Sequence, residues 1–183
     1  VKMTLDTLKA FSISVVYEKN CFYIPGKQVY TIKDGLGVEG DWSNAAFFMT
    51  GAAIGQTQIT YTNLNEASLQ GDKAVVDILK NMGTNIERCE DAYTVSGSKM
   101  TAVDIHAKAI PDLVPILALA ASVSEGVTII SGAERLRIKE SDRLKTVYET
   151  LSTLGADIEE KEDGLIIRGK AKLKGGVVSS HND

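Results

Sequence analysis

Cysteine is scarce, with only Cys21 and Cys89 in a chain of 183 residues. Two thiols cannot build a disulfide framework, and these lack metal-ligand spacing, so the cytoplasm is the expected compartment. Histidine is as rare; His106 and His181 have no partner spacing for zinc and are expected at the surface. Basic residues are outnumbered, 20 Lys and Arg against 24 Asp and Glu, which leaves a net charge of −4 and a pI of about 5.3. A nucleic-acid binder would show a basic stripe and a pI above roughly 9, so that class is excluded and any bound anion must meet local cations. No apolar run is long enough to span a bilayer, and no segment joins a charged start to a small-residue cleavage site, so no membrane contact is expected. A P-loop, a G-x-G-x-x-G and a G-x-S-x-G are missing too. What remains is 44% hydrophobic, enough for one or two modest domains with real cores.

The chain does contain a repeat. Three segments align without a gap: "LKAFSISVVYEKNCFYIPG" from Leu8, "LKNMGTNIERCEDAYTVSG" from Leu79 and "LSTLGADIEEKEDGLIIRG" from Leu151, with starts 71 and 72 residues apart. In each, an amphipathic helix gives way at Ser12, Gly83 or Gly155. A β-branched residue follows at Val15, Ile86 or Ile158, and a second strand carries Ile24, Val95 or Ile167. Asp41, Asp112 and Asp183 keep the same period, and Asp41 and Asp112 introduce "WSNAAFFMTGAAI" and "LVPILALAASV". Both are apolar nearly all round, the pattern of helices buried on every side. Short strands "TQITYT" and "GVTIIS" follow, and "KQVYTI", "KMTAVDI" and "AKLKGGVV" are expected as joining strands.

One unit is therefore a buried helix, a strand, a surface helix and a β-hairpin. Two whole units fit at roughly 41–111 and 112–182, after the tail of an earlier one in 1–38. "VKMTLDTLKAF" opens on helical spacing without a cap, and the chain stops where another buried helix is due, so a piece of a longer repeat protein is expected. Gly35 and Gly37 mark the expected hinge or boundary, with an ordinary Gly-rich loop as the alternative.

Comparing the copies isolates the chemistry. Before its surface helix the first whole unit reads "NEASLQGDKAVVDIL"; the second reads "AERLRIKESDRLKTVYETL", a longer stretch and dense in charge. Lys139 and Arg143 stand four apart, a spacing at which like charges on a helix face repel. With Ser141 as the expected N-cap and Asp142 in the first turn, the two cations flank a helix N-terminus, where free N–H groups and the dipole favour an anion. Glu140 would repel that anion, which suggests proton transfer beside it. A solvated turn with a Glu140–Arg143 pair, worth about 0.3–0.5 kcal/mol, explains the same residues. Asp112 follows Pro111 and precedes an apolar helix, so N-capping accounts for it unless a function was added to this copy.

"VEGDWSNAAFF", "IPDLVPILALAA", "RIKESDRL" and the terminal "HND" together resemble the enolpyruvyl transferases over essentially the whole chain. The Lys-Glu-x-Asp-Arg-Leu stretch is similar to the branch acting on shikimate 3-phosphate rather than on UDP-N-acetylglucosamine. That resemblance implies an α/β (α+β) fold of repeated βαβαββ units, an inverse α/β barrel with buried helices and outer sheets. Residues 1–38 would end a first domain and 39–183 would form two of the three units of a second. The implied reaction moves the enolpyruvyl group of phosphoenolpyruvate to the 5-hydroxyl of shikimate 3-phosphate and releases phosphate, in aromatic amino acid biosynthesis. No metal or organic cofactor, a monomeric parent and a cytoplasmic location are implied as well.

By the same resemblance Asp112 contacts the shikimate hydroxyl as proton acceptor, Lys139 contacts the shikimate moiety, Glu140 exchanges protons with the phosphoenolpyruvate methylene, and Arg143 clamps phosphoenolpyruvate. Arg135 stands where some members carry an asparagine and is unassigned, and Trp42 stands where a small or aliphatic residue is usual. The family's His-Arg pair, first-domain contacts and C-terminal lysine are not in this sequence, so the chain alone is expected to be inactive. Another enolpyruvyl transferase and a non-catalytic repeat scaffold are the competing readings.

Overall fold

The computed structural model describes residues 1–32, 35–90, 92–170 and 172–181; Asp183, third in the aspartate series, lies outside them. A first helix α1 (Lys2–Ala10) leads into a hairpin of β1 (Val16–Glu18) and β2 (Cys21–Tyr23). The next unit holds α2 (Trp42–Gly55), β3 (Gln58–Tyr61), a 3-10 turn at Gly71–Ala74 running into α3 (Val75–Asn81), and the hairpin β4 (Asn85–Cys89) and β5 (Ala92–Ser96). The last unit repeats this order. After β6 (Ile105–His106) come α4 (Val114–Val123), β7 (Val127–Ser131), a 3-10 turn at Glu134–Ile138, α5 (Arg143–Thr153), β8 (Asp157–Lys161) and β9 (Gly164–Arg168). Its sheet, β6-β7-β9-β8, reproduces the antiparallel β3-β5-β4 arrangement and adds β6 parallel to β7.

The repeat is written in backbone hydrogen bonds. At the end of α1, α3 and α5 the carbonyls of Leu8, Leu79 and Leu151 accept from Ile13, Thr84 and Ala156, each at 2.9 Å. Ser12, Gly83 and Gly155, which precede those donors, all have positive φ, at 60°, 99° and 89°. This is the Schellman ending, in which a left-handed residue satisfies the last helical carbonyls. The residue before each turn, Phe11, Met82 or Leu154, offers its carbonyl to the joining segment through the N–H of Thr31, Thr101 or Lys174.

These docking bonds hold two of the expected joining strands, which do not pair as strands. "KQVYTI" and "AKLKGGVV" form no strand, and "KMTAVDI" contributes only β6 and an isolated bridge from Thr101 to Glu125. The first hairpin is likewise short, ending at Tyr23 and leaving Ile24 outside, whereas Val95 and Ile167 lie in β5 and β9 as expected.

α4 is buried along nearly its whole length and packs against α2, with the sheets and surface helices outside them. Trp42, Met49, Leu117, Leu144 and Leu165 are among the fully buried side chains of the single core. α2 departs from the expected burial on every side: Trp42, Ala46, Met49 and Ala53 face the core, but Phe47 and Phe48 are 48% and 66% exposed. No described element packs over that face.

Trp42 is explained by packing. Its ring meets Tyr93 edge-to-face at 5.3 Å, filling the space between α2 and β5, and its backbone N–H donates to Gln70 Oε1 at 2.9 Å. Among the described residues the indole N–H has no partner.

Candidate functional site

The two repeat-related aspartates have different local geometry. Asp41 sits in extended backbone just before α2, and its carboxylate accepts from the N–H groups of Ser43 (2.8 Å) and Asn44 (3.4 Å). It is an N-cap in the ordinary sense. Asp112 is not. Pro111 starts a 3-10 turn one residue early, Ile110 becomes the residue before the turn, and Asp112 falls inside it with no capping bond. The expected cap at Asp112 is thus corrected, because a side chain inside the first turn no longer faces the free N–H groups.

Released from capping, Asp112 takes two cations. Its Oδ1 accepts from Arg143 Nη1 at 3.0 Å and from Lys139 Nζ at 3.4 Å. Arg143 also reaches Glu140, with Nη2 3.2 Å from Oε2. All four sequence-derived site residues therefore converge, from the turn before α4 and the segment before α5. The Glu140–Arg143 pair of the solvated-turn reading is present, but as one arm of a larger cluster. Glu140 is 68% exposed and Arg143 22%, so the guanidinium is the sheltered hub and Glu140 the arm that faces solvent.

Two further expectations change. The cap of α5 is Asp142 rather than Ser141, with Asp142 Oδ1 accepting from the Lys145 N–H at 3.2 Å. Arg143 is then the first helical residue, while Lys139 lies in extended backbone. The four-residue spacing is not a helical turn, and the like charges meet through the Asp112 carboxylate instead of across a helix face.

Sequence reasoning missed Arg137. Its Nη1 pairs with Asp142 (2.9 Å) and Glu160 (2.8 Å), its Nε donates to the Glu162 carbonyl (2.7 Å) and its Nη2 to the Lys161 carbonyl (2.5 Å). The Glu160 hydrogen bond, with help from Asp142, holds its pKa above the ordinary value. Arg137 thus ties the loop carrying Lys139 and Glu140 to the β8–β9 turn. Only the extra length and charge of this copy marked the loop as special, and neither could say which arginine was structural.

Asp112 separates two hollows. A groove of about 640 Å³ runs past Phe47, Ile116, Arg143, Thr146 and His181. An acidic cleft of about 480 Å³ opens on its other side, lined by Glu39, Asp41, Ser43, Asp72 and Asp112. His181 stands 3.7 Å from Glu149, and His106 is exposed with Nδ1 3.3 Å from Ser131 Oγ; neither joins the cluster. Arg135 is exposed. Cys21 and Cys89 are free, exposed and on hairpin strands, as expected. Among the described residues no helix is long and apolar enough to cross a membrane.

Repeated units with buried helices inside and sheets outside are the arrangement of the inverse α/β barrel fold, the fold class of the enolpyruvyl transferases. Within that class the chain belongs to the EPSP synthase (3-phosphoshikimate 1-carboxyvinyltransferase) family, whose sequence pattern it matches over residues 1–183. It is 50% identical over 186 residues to the 3-phosphoshikimate 1-carboxyvinyltransferase of Clostridium novyi (strain NT), covering 100% of this chain and 42% of the relative. To the enzyme of the same name from Methanocaldococcus jannaschii it is 41% identical over 184 residues, covering 100% of this chain and 43% of the relative. A solved EPSP synthase from Acinetobacter baumannii superposes with a TM-score of 0.81 at 31% identity, covering 98% of this chain and 44% of that one. The chain thus spans less than half the length of these relatives.

Proposed function

We propose that this chain, carried to the full length of its relatives, transfers the enolpyruvyl group of phosphoenolpyruvate to the 5-hydroxyl of shikimate 3-phosphate with release of phosphate. In this reading residues 1–38 close a first domain and 39–183 form two of the three units of a second. The observation that carries it is the convergence of Asp112, Lys139, Glu140 and Arg143, because the reaction needs proton carriers beside a bound anion. Asp112 takes the hydroxyl proton as the carbon–oxygen bond forms, and Lys139 sits on the same carboxylate to orient the shikimate side. Moving an enol group with its double bond restored requires a proton added to the methylene carbon and one removed as phosphate leaves. Glu140, the most exposed member of the cluster, gives and takes that proton. Arg143 exchanges part of its hold on the carboxylates for phosphoenolpyruvate, for which a planar fork suits better than an ammonium. The reaction is placed in the cytoplasm, where the exposed thiols of Cys21 and Cys89 stay reduced.

The test is phosphate release with both substrates by the full-length chain. Asp112→Ala and Glu140→Ala should each lower turnover by about 100-fold or more, the range expected on loss of a positioned proton carrier. Undiminished turnover in either would remove that residue from the reaction.

A further inference from the structure

Asp72 belongs to the quieter repeat unit, yet it stands at the candidate site. The 3-10 turn at Gly71–Ala74 is packed so tightly on the segment before Asp112 that a Cβ on Gly71 would lie 2.7 Å from the Ala109 carbonyl oxygen. This contact needs glycine at 71 for space, and it presses the next residue, Asp72, into the acidic cleft with Asp112. There the Asp72 Oδ2 accepts a hydrogen bond from Ser43 Oγ at 2.5 Å. Ser43 is an early residue of α2 and lines both the cleft and the groove on the other side of Asp112. Asp72 is thereby anchored both by α2 and by the segment before Asp112, and it has no role in capping α3, whose first turn it precedes.

We infer that Asp72 is a positioning residue for Asp112: locked by Ser43 and by the Gly71–Ala109 contact, its carboxylate places a second negative charge beside the proposed proton acceptor. A neighbouring anion makes a carboxylate a stronger base, because giving up the charge relieves repulsion. Lys139 and Arg143 both hold Asp112 Oδ1, and Asp72 lines the cleft beside the same carboxylate. The charged groups facing Asp72 are Asp41 at the start of α2, Asp112 before α4 and Lys139 before α5, with Glu39 lining the same cleft. Burial, ahead of all of these, raises its own pKa, and the Ser43 bond works in the opposite direction.

The inference rests on the proposed role of Asp112, and the experiment separates the two. Asp72→Asn keeps an acceptor for Ser43 and removes only the charge. In the full-length chain, kcat and KM for both substrates are measured from pH 5 to 9 for the unmodified protein, Asp72→Asn, Asp72→Glu and Asp112→Asn. The expected result is an acid limb of kcat/KM displaced downward by about half a pH unit in Asp72→Asn, with kcat lowered about threefold and both KM values within twofold. Asp72→Glu should restore the profile. An unmoved acid limb in Asp72→Asn, or a loss confined to KM, overturns the inference while Asp112→Asn stays inactive. An active Asp112→Asn overturns the proposed proton acceptor, and the positioning role falls with it.

Discussion

Arg143 Nη1 and Asp112 Oδ1 lie 3.0 Å apart, joining the start of α5 to the turn before α4 within the last repeat unit. The same guanidinium reaches Glu140 with its other terminal nitrogen. One planar fork therefore sets the separation of two carboxylates, which a single ammonium cannot do. Arg143→Lys keeps the charge and loses the fork. In the full-length chain it should lower kcat/KM for phosphoenolpyruvate by about 10- to 100-fold, the equivalent of roughly 1.4–2.7 kcal/mol. Steady-state phosphate release checks this, and a change under twofold would mean the fork is dispensable.

Arg137 acts on the loop and not on the ligand. Its four contacts pin residues 137–142 to the β8–β9 turn, and hydrogen bonds to charged groups are each worth about 1.5–3 kcal/mol. Arg137→Ala should therefore destabilise the chain by about that much in urea titrations, with little change in the urea dependence itself. It should also weaken anion binding, because Lys139 and Glu140 lose their fixed positions.

Ser12 occupies the left-handed position that its two repeat counterparts fill with glycine. A residue with a Cβ pays roughly 1 kcal/mol there. Ser12→Gly should raise stability by up to about 1 kcal/mol, less the extra freedom glycine adds to the unfolded chain. Gly155→Ala should lower it by about the same amount, and opposite shifts in thermal midpoint are the signature to look for.

Asp72 also makes a pH prediction. Burial raises its folded pKa above the unfolded value, so its contribution favours folding below the unfolded pKa and is lost as pH rises through the folded one. At neutral pH the ionised Asp72 costs stability. Asp72→Asn should then be more stable than the unmodified chain at pH 7, and that advantage should vanish near pH 3, as followed by thermal melts at both pH values.

The repeat was legible because its marks are local: a leucine, a left-handed residue and a hairpin recur at fixed spacing, and each has its own hydrogen bond in the fold. Lys139, Glu140 and Arg143 were legible because charge had been added to one copy only, whereas Asp112 has a counterpart in Asp41 and was singled out through the resemblance. What stayed hidden depended on distant contacts. That Asp112 does not cap follows from Pro111 shifting the turn by one residue, that Arg137 is structural follows from the β8–β9 turn 24 residues on, and that Asp72 joins the site follows from Gly71 packing on Ala109. The exposed Phe47 and Phe48 show the same limit, since apolar residues all round a helix cannot say which neighbours cover each face.

The most direct measurement of the proton role given to Glu140 is hydrogen exchange at the methylene carbon of phosphoenolpyruvate. The full-length chain, incubated with both substrates in deuterated water, should place deuterium on that carbon, read by proton NMR. Glu140→Gln should bind both substrates and abolish the uptake; uptake at the unmodified rate in that variant would contradict the account.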